Sequence, residues 1–222
     1  MTTLVFDVNE TLLDISHMDP IFEDIFGSGD VRKEWFSQVI QDALVASLID
    51  RYSDFGKIGV SAFELIAARR SISVGEDDFS RIVEAMRSLP AHPEVPEQLQ
   101  RLLSRGFRLV TLTNSPPALV AAQLENAGIS AFFDKQLSVD SVRAFKPSNK
   151  VYEFAASDLG ETASDLWLIA AHNWDTSGAL AAGWNAAFIA RPGMQLSRLD
   201  QQPQIVGPSL IEVVDQLIEK LG

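Results

Sequence analysis

The chain has 222 residues, 46% of them hydrophobic, and a formal net charge of −12 at pH 7. This length and apolar content suffice for a large domain with a second one inserted in it, whereas the acidic charge argues against nucleic-acid binding, which needs a basic face. The absence of cysteine excludes disulfides and thiol nucleophiles, and since no signal-peptide pattern or membrane-spanning apolar run stands out, we expect a soluble cytoplasmic protein with no membrane partner.

The first predicted strand leads straight into a carboxylate. Leu4, Val5 and Phe6 are typical of a buried strand, and Asp7 follows where such a strand would emerge. The carboxyl edge of an open parallel sheet is where ligands bind, and a carboxylate with little water around it can act as a nucleophile. An aspartate that merely caps a turn would give the same local pattern.

After Leu13 the pattern changes to a series of helices. Asp19-Pro20 is a favourable helix start, because proline is well tolerated in a first turn. Apolar residues recur at helical spacing over three further ranges: Val31 to Leu48, Ser61 to Ser71 and Glu76 to Leu89. Three prolines between Pro90 and Pro96 then mark the return to a different pattern.

The rest of the chain alternates between strand-like and helical patterns. Together with Thr3 to Asp7, the predicted strands are Phe107 to Thr113, Lys135 to Val139, Leu166 to Ala170 and Ala186 to Ala190. The predicted helices are Pro117 to Gly128, Ser148 to Leu159, Thr176 to Gly183 and Ser209 to Leu221, and Ser197 to Pro208 is predicted to be a loop. Such alternation indicates an α/β fold with a parallel sheet covered on both faces.

Four short stretches stand out in chain order: Asp7-Val8-Asn9-Glu10-Thr11-Leu12, Leu112-Thr113-Asn114-Ser115, Phe145-Lys146-Pro147 and Ala170-Ala171-His172-Asn173-Trp174-Asp175. They resemble, in the required order, the four motifs of the haloacid dehalogenase superfamily. The resemblance implies a Rossmann-like core of residues 1–14 and 91–222, with a helical cap of residues 15–90 inserted after the first strand. It also implies an active site between cap and core, with Asp7 as the nucleophile.

The residue two positions after Asp7 separates two reactions of this superfamily. Phosphatases have a second aspartate there to protonate the leaving alkoxide, whereas Asn9 has no such proton to supply. A halide departs as a stable anion and needs none. Asp175 is the sole acid of the fourth motif, which furnishes a Mg²⁺ site poorly. We therefore predict a 2-haloacid dehalogenase without metal or cofactor; a Mg²⁺-dependent phosphatase acting on a small phosphate ester is the alternative.

Further roles follow from the resemblance to the type II (S)-2-haloacid dehalogenases. Arg32 would hold the departing halide and the substrate carboxylate, for which a planar guanidinium is well suited. Lys146 would keep Asp7 ionised, and Asp175 would hold Lys146 or the hydrolytic water. The remaining members of the expected substrate site are Asn9, Thr11, Thr113, Asn114, Tyr152 and Trp174. Without the motifs, Arg32 and Lys146 would be interpreted as ordinary solvated side chains.

Two residues depart from the common dehalogenase pattern. Glu10 stands where glycine is usual, and His172 follows two alanines where hydroxyl side chains are usual. Because the two motifs converge at neighbouring strand ends, we predict a dyad that activates the hydrolytic water. A neutral His172 would take the proton of the water attacking an ester on Asp7, and Glu10 would orient the imidazole. Packing of His172 against Trp174, beside a solvated Glu10, is the structural alternative.

The expected reaction is hydrolysis of a short (S)-2-haloalkanoic acid to the (R)-2-hydroxy acid and halide, through an aspartyl ester on Asp7. The sequence leaves open which halogen is removed and how long the substrate chain is. The expected partner is the small-molecule substrate, and the resemblance permits a homodimer. A binding protein without catalysis on the same scaffold is a third possibility, but loss of Asp7 or Lys146 would be expected of it, and both are present.

Overall fold

A computed structural model describes residues 2–222 and contains one parallel sheet of six strands. The strands are β1 (Thr3–Phe6), β2 (Arg108–Thr113), β3 (Lys135–Ser138), β4 (Leu166–Ala170), β5 (Asn185–Ile189) and β6 (Ile205–Gly207). Their order across the sheet is β3-β2-β1-β4-β5-β6. Every residue of β1 and β4 is buried, so both faces of the sheet are covered, as is usual for parallel sheets. The predicted α/β fold is confirmed.

Nine α-helices accompany the sheet within residues 2–222. They are α1 (Asp19–Phe26), α2 (Val31–Leu48), α3 (Phe55–Arg69), α4 (Glu76–Arg87), α5 (Val95–Ser104), α6 (Pro117–Asn126), α7 (Asn149–Leu159), α8 (Asn173–Ala181) and α9 (Leu210–Leu221). The first four follow β1 without an intervening strand. Helix α5 packs on α9, and α7 packs on α8. Across residues 2–222, none of the helices has the length and apolar character needed to cross a membrane.

Helices α1 to α4 share a cluster of aromatic side chains. The ring centroid of Phe22 in α1 lies 5.4 Å from that of Trp35 in α2 and 5.9 Å from that of Phe63 in α3. Phe79 of α4 lies 5.9 Å from Phe63. Each such contact adds about 0.5–1.5 kcal/mol to the stabilisation from buried area. The four helices therefore have an apolar cluster of their own, as expected for an inserted helical segment. The boundaries of that segment at residues 14 and 90 stay a prediction.

Two observed elements were missed in the sequence-based prediction. The stretch predicted as a loop from Ser197 to Pro208 contains β6, a three-residue edge strand in which Ile205 pairs with Ala187 of β5. A strand this short has too few residues to show an alternating pattern. Helix α5 was hidden by its prolines, but Pro96 lies in its first turn, where the missing N–H is not needed.

Two helices begin earlier than predicted. Helix α3 starts at Phe55 instead of Ser61, because the side chain of Asp54 accepts a hydrogen bond from the backbone of the first turn. Helix α8 starts at Asn173 instead of Thr176. The second difference matters for function, since it places the end of the fourth motif in the first turn of a helix.

The register of the central strands brings the motifs together. Phe6 of β1 pairs with Thr111 of β2 on one side and with Ile169 of β4 on the other. The carboxyl ends of these three adjacent strands therefore lie at the same edge of the sheet. Strands β2 and β3 lie on one side of β1 and strands β4 to β6 on the other, and open α/β sheets bind ligands at such a point. The residues that follow Phe6, Thr113 and Ala170 converge there.

Gly178 allows α8 to approach the third-motif loop closely. A Cβ added at Gly178 would lie 2.5 Å from Pro147 Cβ and 2.5 Å from the Tyr152 hydroxyl.

We expect Gly178→Ala to lower the free energy of unfolding by about 1–3 kcal/mol, because overpacking a filled site costs about this much. Denaturant titration measures the change. Gly59→Ala in α3 is the matched control, because its Cβ would meet Trp35 at an ordinary 3.7 Å. The control should be neutral or stabilised by up to about 1 kcal/mol; equal losses in both would contradict the packing argument.

Candidate active site

Asp7, the first residue after β1, is the centre of a buried hydrogen-bond network. Its backbone N–H donates to the carbonyl of Ile169 at 3.0 Å. Lys146 Nζ donates to Oδ1 at 2.8 Å, and the Thr11 hydroxyl donates to Oδ2 at 2.7 Å. Burial opposes ionisation of Asp7, but Lys146 and His172 outweigh it and hold the pKa of Asp7 well below its ordinary value. The side chain is thus a carboxylate at neutral pH, as a nucleophile must be.

Lys146 is buried, and its ammonium group donates three hydrogen bonds. Its Nζ donates to Asp175 Oδ2 at 2.6 Å and to the Leu112 carbonyl at 2.9 Å, in addition to Asp7. Burial alone would lower the pKa of Lys146, but Asp175 and Asp7 raise it above the ordinary value. The prediction that Asp175 holds Lys146 agrees with this contact. The ammonium supplies the positive charge between the two carboxylates.

Asp175 receives a second donor from a neighbouring helix. The Tyr152 hydroxyl of α7 donates to Asp175 Oδ1 at 2.7 Å and lies 3.1 Å from its carbonyl oxygen. Burial raises the pKa of Asp175 and outweighs the opposing effect of Lys146, and it raises that of Tyr152 well above its usual value. Tyr152 therefore orients Asp175 and stays protonated. Across residues 2–222, no three His, Asp or Glu side chains are arranged to hold a metal ion.

His172 lies between two carboxylates, directly before α8. Its Nε2 is 2.8 Å from Glu10 Oε2, and its Nδ1 is 3.2 Å from Asp7 Oδ2. The imidazole ring stacks on Trp174, with centroids 4.8 Å apart, and faces Phe36 of α2 at 6.0 Å. The two residues that depart from the common pattern are thus in direct contact, and one of them reaches Asp7.

The charge of His172 depends on its two carboxylate neighbours. Burial lowers the pKa of the imidazole, but its hydrogen bonds to Asp7 and Glu10 raise it more strongly, to about 10. At neutral pH the ring is therefore an imidazolium that donates from both nitrogens. The neutral imidazole expected from the sequence concerns the ester intermediate, in which Asp7 carries no charge, and stays a prediction. His172 becomes a base only when one neighbouring carboxylate loses its charge.

Glu10 adopts a backbone conformation that suits glycine better. Its φ angle is +62°, in the left-handed region, which costs a side-chain-bearing residue roughly 1–2 kcal/mol. The Glu10 N–H donates to the Leu13 carbonyl at 2.9 Å, which fixes this turn. A strained position of this kind is a sign of function. The carboxylate contacts of Glu10 with His172 and Arg32 offset the strain.

Arg32 is placed beside Glu10 and not beside Asp7. Its Nη1 lies 3.5 Å from Glu10 Oε1, and its Nε donates to Asp19 of α1. The side chain is almost completely buried. Two carboxylates thus already engage the guanidinium that was predicted to hold the halide. Asp19 was interpreted from the sequence only as a helix start, and nothing in the local pattern indicates its pairing with Arg32.

Asn9 is held by residues from the second motif and from α6. Its Nδ2 donates to the Ser115 hydroxyl at 3.2 Å, and its Oδ1 accepts from Gln123 Nε2 at 3.1 Å. Both amide atoms of Asn9 are therefore fixed. Gln123 was missed because a glutamine inside a helix gives no signal of its own.

The second motif shapes its own turn. The hydroxyl of Thr113 accepts a hydrogen bond from the backbone of Ser115 at 3.1 Å, and we find no hydrogen bond from Thr113 or Asn114 to Asp7 among residues 2–222. Asn114 Oδ1 accepts from the backbone N–H of Lys146 at 3.0 Å. The expected contribution of Thr113 and Asn114 to the substrate site stays a prediction. In the free protein Asn114 joins the second motif to the third.

A cleft of about 520 Å³ opens beside His172. Its walls come from α2, the start of α8 and the loop after β5, and include Arg32, Phe36, His172, Trp174, Pro192 and Met194. Aromatic walls with a few charged groups are typical of small-molecule sites. The contribution of the loop after β5 was missed, because no sequence motif marks it.

The titration of His172 should report on the charge of Asp7. Histidine NMR of the free protein should give a midpoint near 10, and Asp7→Asn should lower it because one carboxylate is lost. The folded pKa exceeds the ordinary 6.5, so His172 stabilises the fold fully below about pH 6.5 and progressively less as the pH rises towards 10. Asp134→Asn is the matched control and should leave the His172 midpoint unchanged, because Asp134 pairs with Arg108 at the opposite end of the sheet. A wild-type midpoint for His172 below 7 would contradict this assignment.

Comparisons with known proteins relate the chain to haloacid dehalogenases. A family model described as haloacid dehalogenase-like hydrolase matches residues 1–183. The (S)-2-haloacid dehalogenase of Pseudomonas sp. (strain YL) is 29% identical over 214 residues, which cover 96% of this chain and 92% of that protein. Haloacetate dehalogenase H-2 of Moraxella sp. (strain B) is 28% identical over 213 residues, 95% of each chain.

A solved structure has the same fold over its whole length. It is L-2-haloacid dehalogenase from Xanthobacter autotrophicus with chloropropionic acid covalently bound, which matches with a TM-score of 0.92 at 22% identity and covers 100% of both chains. The family model extends over most of the chain and includes all four motifs. The chain belongs to the haloacid dehalogenase-like hydrolase family.

Proposed function

We propose that this protein is an (S)-2-haloacid dehalogenase that hydrolyses short 2-haloalkanoic acids to (R)-2-hydroxy acids. The observation that carries the proposal is the ionised Asp7, held by Lys146 and Thr11, with Asn9 in the position from which a phosphatase would protonate its leaving group. The relatives named as haloacid and haloacetate dehalogenases favour the same reaction. The enzyme is thus a hydrolase acting on a carbon–halide bond.

In the first step the Asp7 carboxylate attacks Cα from the side opposite the halogen. A C–O bond forms, the C–X bond breaks, and its electron pair leaves with the halide. Configuration at Cα therefore inverts. Arg32 and Asn114 receive the anion, and Arg32 gives up part of its contact with Glu10 to do so. Trp174 and Phe36 form the apolar walls against which the substrate lies.

In the second step water attacks the ester carbonyl of Asp7. Esterification has removed the charge of Asp7, so the His172 imidazolium loses one of its two carboxylate partners and releases its proton to solvent. The neutral imidazole, oriented by Glu10, then takes a proton from the attacking water. Collapse of the tetrahedral intermediate breaks the bond between the Asp7 carbonyl carbon and the substrate oxygen, and the second proton of the water passes to the leaving alkoxide. This frees the hydroxy acid, regenerates the Asp7 carboxylate and leaves the imidazolium. Each turnover thus yields one halide and one proton.

A Mg²⁺-dependent phosphatase receives less support. Asn9 offers no proton to an alkoxide, and the Lys146 ammonium already lies between the Asp7 and Asp175 carboxylates. The donor set around Asp7 therefore does not fit a divalent cation.

Residues 15–90 form the cap in this proposal, and residues 1–14 and 91–222 form the core. The exposed apolar side chains at the end of α2, Val45, Leu48 and Ile49, suit contact between two copies, and we infer a homodimer in the cytoplasm. The partner of the active site is a small 2-haloacid, and the net charge of −12 makes nucleic acid an unsuitable partner.

Halide release tests the proposed reaction directly. Racemic 2-chloropropionate, incubated with the enzyme in the presence of EDTA, should release chloride until half of the substrate is consumed, because only one enantiomer presents Cα to Asp7 correctly. Chloride assay and chiral chromatography of the remaining acid measure this. Asp7→Asn is the control and should release none. Complete absence of chloride from the wild type would refute the dehalogenase proposal.

The assignment of His172 predicts an ester that accumulates. His172→Ala should still be alkylated by (S)-2-chloropropionate but should hydrolyse the ester roughly 10²–10⁴-fold more slowly, the usual contribution of a general base. Intact-mass and peptide mass spectrometry should show one adduct on Asp7 and a burst of about one chloride per enzyme. His17→Ala is the matched control and should behave like the wild type. Wild-type turnover by His172→Ala would remove this histidine from the mechanism.

A further inference from the structure

Arg191 is a buried arginine outside the four motifs. It lies just after β5, and its side chain is 9% exposed. Nε and Nη2 both donate to one acceptor, the carbonyl oxygen of Thr11, at 3.1 and 2.7 Å. Nη1 donates to Glu94 Oε1 at 2.9 Å. The guanidinium thus joins the loop after β5 to the loop that carries the nucleophile.

Thr11 is the residue through which this contact can affect the chemistry. Its hydroxyl donates to Asp7 Oδ2 and accepts from the backbone N–H of Ala171 at 2.9 Å. The preceding residue is Glu10, whose left-handed backbone turns the loop. Holding the Thr11 carbonyl therefore fixes both the hydroxyl that orients Asp7 and the turn that presents Glu10 to His172.

Arginine gives the Thr11 carbonyl oxygen two charged donors, whereas one neutral donor would be enough to satisfy it. A neutral donor would satisfy the oxygen, whereas a buried guanidinium carries a desolvation cost that Glu94 only partly offsets. Two charge-assisted donors on one oxygen give a stronger and more directional contact than one neutral donor.

We propose that Arg191 is a positioning residue that acts through Thr11 and Glu10 on Asp7 and His172. This inference rests on the proposed function only for the kinetic part of its test. Arg191 is absent from the walls of the cleft beside His172 but lines a neighbouring cavity of about 260 Å³ with Glu10 and Arg32. Because its guanidinium is engaged by the Thr11 carbonyl and Glu94, we assign it to holding the catalytic loop and not to binding substrate.

The test compares Arg191→Met with Arg191→Lys in the full-length enzyme. Arg191→Met should lower kcat for (S)-2-chloropropionate about 10–100-fold, as loss of a supporting contact does, while KM changes less than about threefold. Arg191→Lys keeps a charged donor and should recover part of kcat. Arg108→Met is the matched control: Arg108, like Arg191, is held by acidic side chains, in its case Asp134 and Glu161, but it lies at the end of β2 that is remote from the site. Its kcat should equal that of the wild type.

Two readouts do not depend on turnover. In Arg191→Met the amide of Glu10 should exchange with deuterium faster than in Arg108→Met, because its bond to Leu13 is no longer held. The NMR titration midpoint of His172 should also fall, since Glu10 is less well placed. If Arg191→Met does not fold, Arg191→Lys gives the same comparison with smaller effects.

The outcomes separate the two proposals. Wild-type kcat in folded Arg191→Met, or an equal loss in Arg108→Met, would overturn the role of Arg191. Unchanged amide exchange and an unchanged His172 midpoint would overturn it as well. No chloride from the wild type would refute the dehalogenase proposal, and the exchange and NMR results would then still decide on Arg191.

Discussion

The ion pair between Lys146 and Asp7, 2.8 Å long and almost completely buried, is the contact on which the rest of the site depends. Removing two charges from water is costly, and the attraction between them repays the cost only when each finds further partners. Lys146 finds them in Asp175 and the Leu112 carbonyl, and Asp7 finds them in Thr11 and His172. These requirements explain why the loop after β3, the start of α8 and the end of β1 meet at one point.

Charges of opposite sign alternate outward from Asp7. Asp175 lies beyond Lys146 on one side, and Glu10 and Arg32 lie beyond His172 on the other. Each charge is stabilised by its neighbours, so the net charge of −12 has little influence inside the site. A reaction that neutralises Asp7 disturbs the whole series, and His172 responds first because it has the most easily lost proton. Nucleophile and base are thus coupled by electrostatics as well as by position.

The sequence predicted the parallel sheet, most of the helices and the convergence of the motifs, because strand ends in a parallel sheet share an edge. It also predicted the contact between Glu10 and His172. It did not predict the charge of His172, which depends on distances to two carboxylates. Asp19, Gln123 and Arg191 were missed because none of them lies in a motif and the local pattern does not indicate their partners. The expected roles of Thr113 and Arg32 at the substrate stay predictions, because a motif specifies which residue is present and does not specify which partner it meets.

Position 10 also bears on how this protein could be stabilised. Glycine would relieve the left-handed backbone there by roughly 1 kcal/mol, and a redesign guided by local conformational preference would choose it. The same exchange would delete the carboxylate whose contacts with the buried His172 and Arg32 offset this strain. Local backbone preference and buried charge thus oppose each other at this residue, so a stabilised variant has to draw its gains from elsewhere in the chain.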